Sequence, residues 1–196
     1  MVADPDLRIG VLALQGNVSE HVRAFDLALT AKIGEHQPVI QVRRPAEIEG
    51  LDALALPGGE STTISRLIEK NGLYRPLVDF PGGLFATCAG MVLLATSVDD
   101  PRVNPLGLIE MRVERNAFGR QFESFEADIR INGLDSPFHA VFIRAPIAAQ
   151  VGADAEILAR INDGAVAVRQ SRHLALSFHP ELGADLRLHT LFLEQL

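Results

Sequence analysis

The sequence predicts an α/β fold: a three-layer sandwich with a central, mostly parallel sheet flanked by helices, plus an antiparallel β extension in the second half. Two observations support this prediction. In the first half, short runs that are apolar on both faces alternate with helix-like segments, which is typical of a parallel sheet covered on two sides. In the second half, apolar runs follow one another closely with turn residues between them, which indicates a meander or an antiparallel extension. We expect residues 1–196 to form a single domain.

Four strands and three helices are predicted in the first half. The strands are LRIGVLAL (7–14), VIQV (39–42), LDALALP (51–57) and LFAT (84–87). The first helix begins after Asn17, whose side chain can cap it. Its apolar stripe consists of Val18, Val22, Phe25 and Leu29. The second helix begins at Ser61 and ends near Asn71-Gly72. The third is AGMVLLATS (89–97).

The second half contains six short apolar runs and a final helix. The runs are LGLIEMRV (106–113), FEADIRI (125–131), AVFIRA (140–145), ILARI (157–161), AVAVRQ (165–170) and HLALSFH (173–179). Residues 185–196 have the pattern of an amphipathic helix. These elements add strands to the sheet that the first half begins.

Composition excludes several classes of function. A net charge of −7 argues against a nucleic-acid surface, which needs clustered Lys and Arg. The uncharged segment 80–98 contains too many Gly, Pro, Ser and Thr residues for a membrane span, so we expect no membrane contact. A single cysteine cannot form an internal disulfide, and the amino terminus does not resemble a signal peptide. The expected location is therefore cytoplasmic.

Cys88, the single cysteine, lies in FATCAGM between a predicted strand and a predicted helix. A nucleophile on a strand-to-helix turn is the elbow arrangement of many hydrolases. There the positive end of the helix dipole favours a thiolate, and the Ala89 N–H is free to donate to an oxyanion. A Gly-Gly loop such as that at Gly58-Gly59 can supply a second donor. The alternative is that Cys88 only packs in the core, which is the more common role of a lone cysteine.

A base for such a thiol is offered by ALSFHPEL (175–182), where His179 ends an apolar strand. If the segment is extended, His179 and Glu181 project to the same side. A carboxylate can then hold one ring nitrogen while the other takes the thiol proton. A solvated surface pair is the alternative for His179 and Glu181 taken alone. No spacing typical of a metal site or of a nucleotide-binding loop occurs, so we expect no metal and no cofactor.

Several motifs identify a resemblance that covers nearly the whole chain. They are GVLALQGNVSEH, LALPGGESTTISRL, FATCAGM, VERNAFGRQFESFEADI, VFIRAP, VAVRQ and SFHPEL. The sequence resembles the glutaminase subunits of pyridoxal 5′-phosphate synthase, which belong to the class I (triad) glutamine amidotransferases. PGGES, RNAFGRQ and IRAP are more specific to these subunits than the Cys-His-Glu triad, which the whole class shares.

The resemblance implies a role for each matching residue. Cys88 matches the nucleophile, and His179 and Glu181 match the pair that assists it. Gly59 and Ala89 are the expected oxyanion donors. The residues expected to contact L-glutamine are Gly59, Glu60, Ser61, Arg115, Ile143 and Arg144. An arginine suits the α-carboxylate of glutamine, and Glu60 suits its α-ammonium group. Without the resemblance, Arg115 would be interpreted as a surface charge.

The implied activity is hydrolysis of L-glutamine to L-glutamate and ammonia. The implied partner is a separate synthase subunit, a TIM barrel, which receives the ammonia in a hetero-oligomer that makes pyridoxal 5′-phosphate. The chain departs from the family's usual pattern at Ala86, where the family has glycine, and in segment 31–42. Three alternatives stay open: a glutaminase subunit of another amidotransferase, a non-catalytic glutamine-binding regulatory subunit, and a cysteine-elbow hydrolase or chaperone without ammonia transfer.

Overall fold

The structure, a computed structural model, describes residues 7–115 and 124–196. Its five α-helices, within those ranges, are α1 (Val18–Ile33), α2 (Ser61–Lys70), α3 (Tyr74–Val78), α4 (Ala89–Leu94) and α5 (Arg187–Leu193). The strands of the first half are β1 (Ile9–Leu12), β2 (Ile40–Val42), β3 (Ala53–Leu56), β4 (Gly83–Thr87) and β5 (Ala95–Val98). Those of the second half are β6 (Ile109–Glu114), β7 (Ser124–Ile129), β8 (Phe138–Ile143), β9 (Ile147–Val151), β10 (Glu156–Ile161), β11 (Gly164–Gln170) and β12 (His173–Leu176). Pro45–Glu47 and Pro180–Leu182 form short 3₁₀ turns.

A ten-stranded sheet forms the middle layer, in the order β2-β1-β3-β4-β12-β11-β9-β6-β5, with β10 paired to β11. The half from β2 to β12 is entirely parallel. The strands β9 to β12 add the antiparallel extension that the sequence predicts. This architecture confirms the predicted fold class. One difference is that β7 and β8 form a separate two-stranded sheet instead of joining the extension.

Alternation along the central strands divides the core between the two faces of the sheet. In β3, Leu54 and Leu56 face α2, α3 and α4, whereas Ala53 and Ala55 face α1 and α5. Both faces are fully buried, which explains why these strands have no polar alternation in the sequence. The structure therefore has the three layers that the sequence predicts: a layer of helices, the sheet, and a second layer of helices.

The predicted helix over 89–97 is wrong in its last turn. The helix ends at Leu94, and residues 95–98 form β5 beside β6. The backbone N–H groups of Leu106 and Leu108 donate to the carbonyls of Leu93 and Leu94 at 2.7 and 2.9 Å. The following segment therefore occupies the carbonyls at the helix end, and the β-branched Thr96 and Val98 suit a strand. The sequence also did not predict α3 or β9.

HLALSFH was expected in the antiparallel extension, but its strand has a second partner. β12 is antiparallel to β11 and parallel to β4, with Leu176 opposite Thr87. Its carboxyl end therefore lies beside that of β4. In an open parallel sheet this edge is where ligands bind.

No helix within the described residues is both long and apolar enough to cross a bilayer.

Candidate active site

Cys88 lies on a strained turn between β4 and α4, as the elbow prediction requires. Its φ is +47° and its ψ is −103°, a conformation that costs a non-glycine residue on the order of 1–3 kcal/mol. The turn is secured because the Cys88 N–H donates to Leu176 O at 2.8 Å. Gly90 lets α4 approach β3, since a Cβ there would lie 2.2 Å from Leu56 O. Cys88 is buried, with 9% of the residue exposed, and it lines the cavity described below.

His179 and Glu181 form a buried pair next to this turn. The distance from His179 Nδ1 to Glu181 Oε1 is 2.7 Å, and the residues are 4% and 6% exposed. The geometry that pairs them differs from the prediction, because the segment is not extended. His179 precedes the 3₁₀ turn Pro180–Leu182, and that turn brings the carboxylate back to the ring. The interpretation as a solvated surface pair is wrong.

The charge state of this pair follows from its neighbours. Burial lowers the pKa of His179, but interactions with Cys88 and Glu181 outweigh burial and raise the pKa to about 10. Burial raises the pKa of Glu181, but the His21 and His179 rings outweigh it and hold the pKa below its usual value. At neutral pH the site therefore holds an imidazolium between Glu181 and Cys88.

Asn17 is the N-cap residue of α1 and directly precedes Val18, but its side chain makes no capping hydrogen bond. Its amide Nδ2 lies 3.2 Å from Glu181 Oε1 and 3.4 Å from His179 Nδ1. The capping prediction is therefore wrong, since the amide is oriented toward the buried pair. Asn17 therefore adds an amide to the candidate site.

The elements around Cys88 enclose a cavity of about 270 Å³. Its lining contains both predicted oxyanion donors and every residue predicted to contact glutamine, together with Cys88 and His179. The lining residues are Gln15, Asn17, Gly59, Glu60, Ser61, Cys88, Ala89, Val92, Arg115, Ile143, Arg144, Pro146 and His179. Glu181 does not line the cavity, and its carboxylate contacts Nδ1 of His179. Val92 and Pro146 are lining residues that the sequence did not identify.

Glu60 and Arg115 are paired to each other in the cavity wall. Arg115 Nη2 lies 2.9 Å from Glu60 Oε1, and Arg115 Nη1 contacts Asp100. The Glu60 carboxylate also caps α2 by accepting from the Thr63 N–H at 2.9 Å. Partial burial raises the pKa of Glu60, but hydrogen bonds from Thr62 and Thr63 and the charge of Arg115 lower it by more. The rest of the RNAFGRQ motif, residues 116–121, lies outside the described residues.

Ile143 and Arg144, at the end of β8, also line the cavity. Ile143 O lies 3.8 Å from Cys88 Sγ. Arg144 has a φ of +44°, so the chain turns sharply after β8. Within the described residues, no cluster of His, Cys, Asp and Glu side chains is arranged to hold a metal ion.

A solved structure and a family model both match this chain over most of its length. A solved structure described as a glutamine amidotransferase matches 95% of this chain and 97% of its own, with a TM-score of 0.85 and 46% identity. Residues 11–196 match the SNO glutamine amidotransferase family. The chain belongs to this family.

Two relatives share most of the sequence. A protein of Methanosphaerula palustris is 64% identical, over 96% of this chain and 96% of its own length. A protein of Methanoregula boonei is 62% identical, over 97% of this chain and 99% of its own length. Both are named pyridoxal 5′-phosphate synthase subunit PdxT. These names agree with the resemblance found in the sequence motifs.

Proposed function

We propose that the chain hydrolyses L-glutamine with Cys88, His179 and Glu181 and supplies ammonia to the synthase subunit of pyridoxal 5′-phosphate synthase. One observation supports the proposal most directly: Cys88, on its elbow, and His179 line the same cavity. The buried carboxylate of Glu181 contacts Nδ1 on the other side of the His179 ring. Family membership and the names of the relatives support the substrate and the pathway. We also propose that residues 1–196 form a single glutaminase domain.

The first half-reaction forms a thioester. The Cys88 thiolate attacks the side-chain amide carbon of glutamine, and the amide oxygen becomes an oxyanion. Gly59 and Ala89 line the cavity, and their N–H groups are the proposed donors to this oxyanion. His179, protonated at rest, gives its proton to the departing nitrogen. The carbon–nitrogen bond breaks and ammonia leaves.

The second half-reaction hydrolyses the thioester. His179, now neutral, removes a proton from water, and the resulting hydroxide attacks the thioester carbon. The carbon–sulfur bond breaks, which releases glutamate and restores the Cys88 thiolate beside a protonated His179. Glu181 stabilises the imidazolium whenever His179 is protonated, and its short contact to Nδ1 leaves Nε2 to move protons.

Substrate binding is proposed to involve the ion pair in the cavity wall. Glutamine carries an α-ammonium and an α-carboxylate, the same two charges that Arg115 and Glu60 present to each other. Binding exchanges this contact for contacts with the substrate, Glu60 to the ammonium and Arg115 or Arg144 to the carboxylate. Ser61 and Ile143 complete the proposed set of glutamine contacts.

The partner is proposed to be a separate TIM-barrel synthase subunit in a hetero-oligomer, which also activates the glutaminase. Gly58 O accepts from the Asn17 N–H at 3.1 Å, so the loop that carries Gly59 is coupled to the start of α1. Docking near α1 can therefore change the orientation of the Gly58-Gly59 peptide and its donor. A thiol nucleophile must stay reduced, which supports a cytoplasmic location.

Glutamate release at saturating glutamine, with increasing amounts of the synthase subunit, tests the proposal. We expect little activity from the free chain, because the loss of one oxyanion donor costs on the order of 10²–10³ in kcat. Activity should rise with the synthase subunit and then saturate. Cys88→Ala should abolish hydrolysis while still binding the synthase subunit. Substantial activity of Cys88→Ala would refute the mechanism, and a flat titration with full activity of the free chain would refute the activation.

A further inference from the structure

His21 is a fully buried histidine in the first turn of α1, and no step of the reaction described above uses it. Its Nε2 atom lies 2.9 Å from Thr87 Oγ1 and 3.5 Å from Glu181 Oε1. Its Nδ1 atom has no hydrogen-bond partner within the described part of the chain. A single ring nitrogen therefore contacts both the residue before the nucleophile and the carboxylate behind the base.

Thr87 connects His21 to the glycine loop. It is the last residue of β4 and is fully buried, and its Oγ1 accepts a hydrogen bond from the Gly58 N–H at 3.0 Å. His21, Thr87 and Gly58 thus form a continuous chain of polar contacts behind the cavity. Because Glu181 Oε1 faces the same nitrogen of His21, this chain joins the loop that carries Gly59 to the carboxylate of the triad.

The protonation state of His21 follows from its surroundings. Burial lowers its pKa by more than Glu181 raises it, so the ring is neutral at pH 7. A lone pair on Nε2 would face the negative Glu181 oxygen, so the proton of the neutral ring belongs on Nε2, which donates to Thr87 Oγ1 and lies 3.5 Å from Glu181 Oε1. The charged and titratable groups that face the ring are Glu181, His179, Glu20 and His189.

We infer that His21 is a positioning residue for glutamine hydrolysis, which holds Glu181 against His179 and, through Thr87, holds the Gly58 loop beside Cys88. The inference rests on the proposed function. Loss of the buried His21–Thr87 hydrogen bond leaves Thr87 and Glu181 without this contact, and the resulting displacement should lower kcat roughly 10-fold to 100-fold. KM for glutamine should stay unchanged, because His21 does not line the cavity.

The test compares two substitutions that place an amide at different depths. In His21→Gln the terminal amide nitrogen can reach the position of Nε2, whereas in His21→Asn it reaches only that of Nδ1. His189→Asn is a matched control, because His189 is also fully buried and neither of its ring nitrogens has a hydrogen-bond partner within the described residues. Glutamate release by the complex with the synthase subunit gives kcat and KM, and thermal unfolding gives the folded fraction.

We expect His21→Gln to retain kcat within a few-fold of the wild type, and His21→Asn to lose roughly 10-fold to 100-fold with KM unchanged. His189→Asn should lose stability but keep its kcat. Equal losses in both His21 variants, or wild-type kcat in His21→Asn, would overturn the positioning role. A wild-type complex that releases no glutamate would instead refute the proposed function.

Thr87→Val keeps the test decisive if His21→Asn does not fold. It removes the hydroxyl that links His21 to Gly58 and changes the side-chain volume little. We expect a loss of kcat in the same range with KM for glutamine unchanged, because this hydroxyl joins His21 to the Gly58 N–H. An unchanged kcat in Thr87→Val would show that this chain does not position the loop.

Discussion

Gly58 lies so close to the ring of His179 that no side chain fits between them. A Cβ at this position would lie 2.3 Å from His179 Cε1 and 3.3 Å from Cys88 Cβ. Ordinary contact begins at 3.4 Å, so the ring or the loop would have to move by about 1.1 Å, the difference between 3.4 and 2.3 Å. A displacement of about 1 Å from the productive geometry costs on the order of 100-fold in rate. We therefore predict that Gly58→Ala lowers kcat on the order of 100-fold.

The assay is glutamate release by the complex with the synthase subunit, over a range of glutamine concentrations. KM should change little, because Gly58 itself does not line the cavity. Gly183→Ala is the matched control, since it follows the turn that holds Glu181 but a Cβ there would have its nearest neighbour at 3.8 Å. A Gly58→Ala protein that is folded and within a few-fold of wild-type kcat would refute the argument from contact distance.

Three further predictions concern single side chains. Burial lowers the pKa of His189 to about 3 in the folded protein. Between about pH 6.5 and pH 3 the unfolded chain therefore binds a proton at His189 that the folded protein does not bind. Stability should therefore fall as pH drops from about 6.5 toward 3, and less steeply in His189→Leu, which denaturant titrations at several pH values would measure. Asn17→Ala should lower kcat several-fold with an unchanged unfolding midpoint, because its side chain makes no helix cap; a large loss of stability would contradict this. Arg115→Ala should mainly raise the KM for glutamine, whereas the exposed Arg112→Ala should not, and an unchanged KM in both would remove Arg115 from the binding site.

The predicted strands and helices of the first half were largely confirmed because their signals are local. LDALALP contains β3, and the helix predicted from Ser61 is α2 (Ser61–Lys70). The elbow was also predictable, because a strand, a cysteine and a glycine-containing helix follow one another within FATCAGM. The roles of Glu60, Arg115 and Arg144 came from the resemblance and not from periodicity or spacing.

Features that depend on distant pairing could not be derived from the sequence. Residues 95–98 have an apolar-to-polar pattern compatible with the end of a helix, and β6 makes them a strand. Asn17 has the residue type of a helix cap, but the nearby carboxylate and imidazole orient its amide elsewhere. His21 has the pattern of a core residue, and only its contacts with Thr87 and Glu181 indicate a further role.

The sequence by itself determined the fold class and the elbow that carries Cys88, and it singled out His179 and Glu181 as the residues proposed to assist it. The tertiary structure decided how those residues meet. Cys88 and His179 are 91 positions apart in the sequence, and they become neighbours because β12 lies parallel to β4, with Leu176 opposite Thr87. Pairing of strands so far apart depends on the whole sheet, since no local pattern specifies which edge a strand joins.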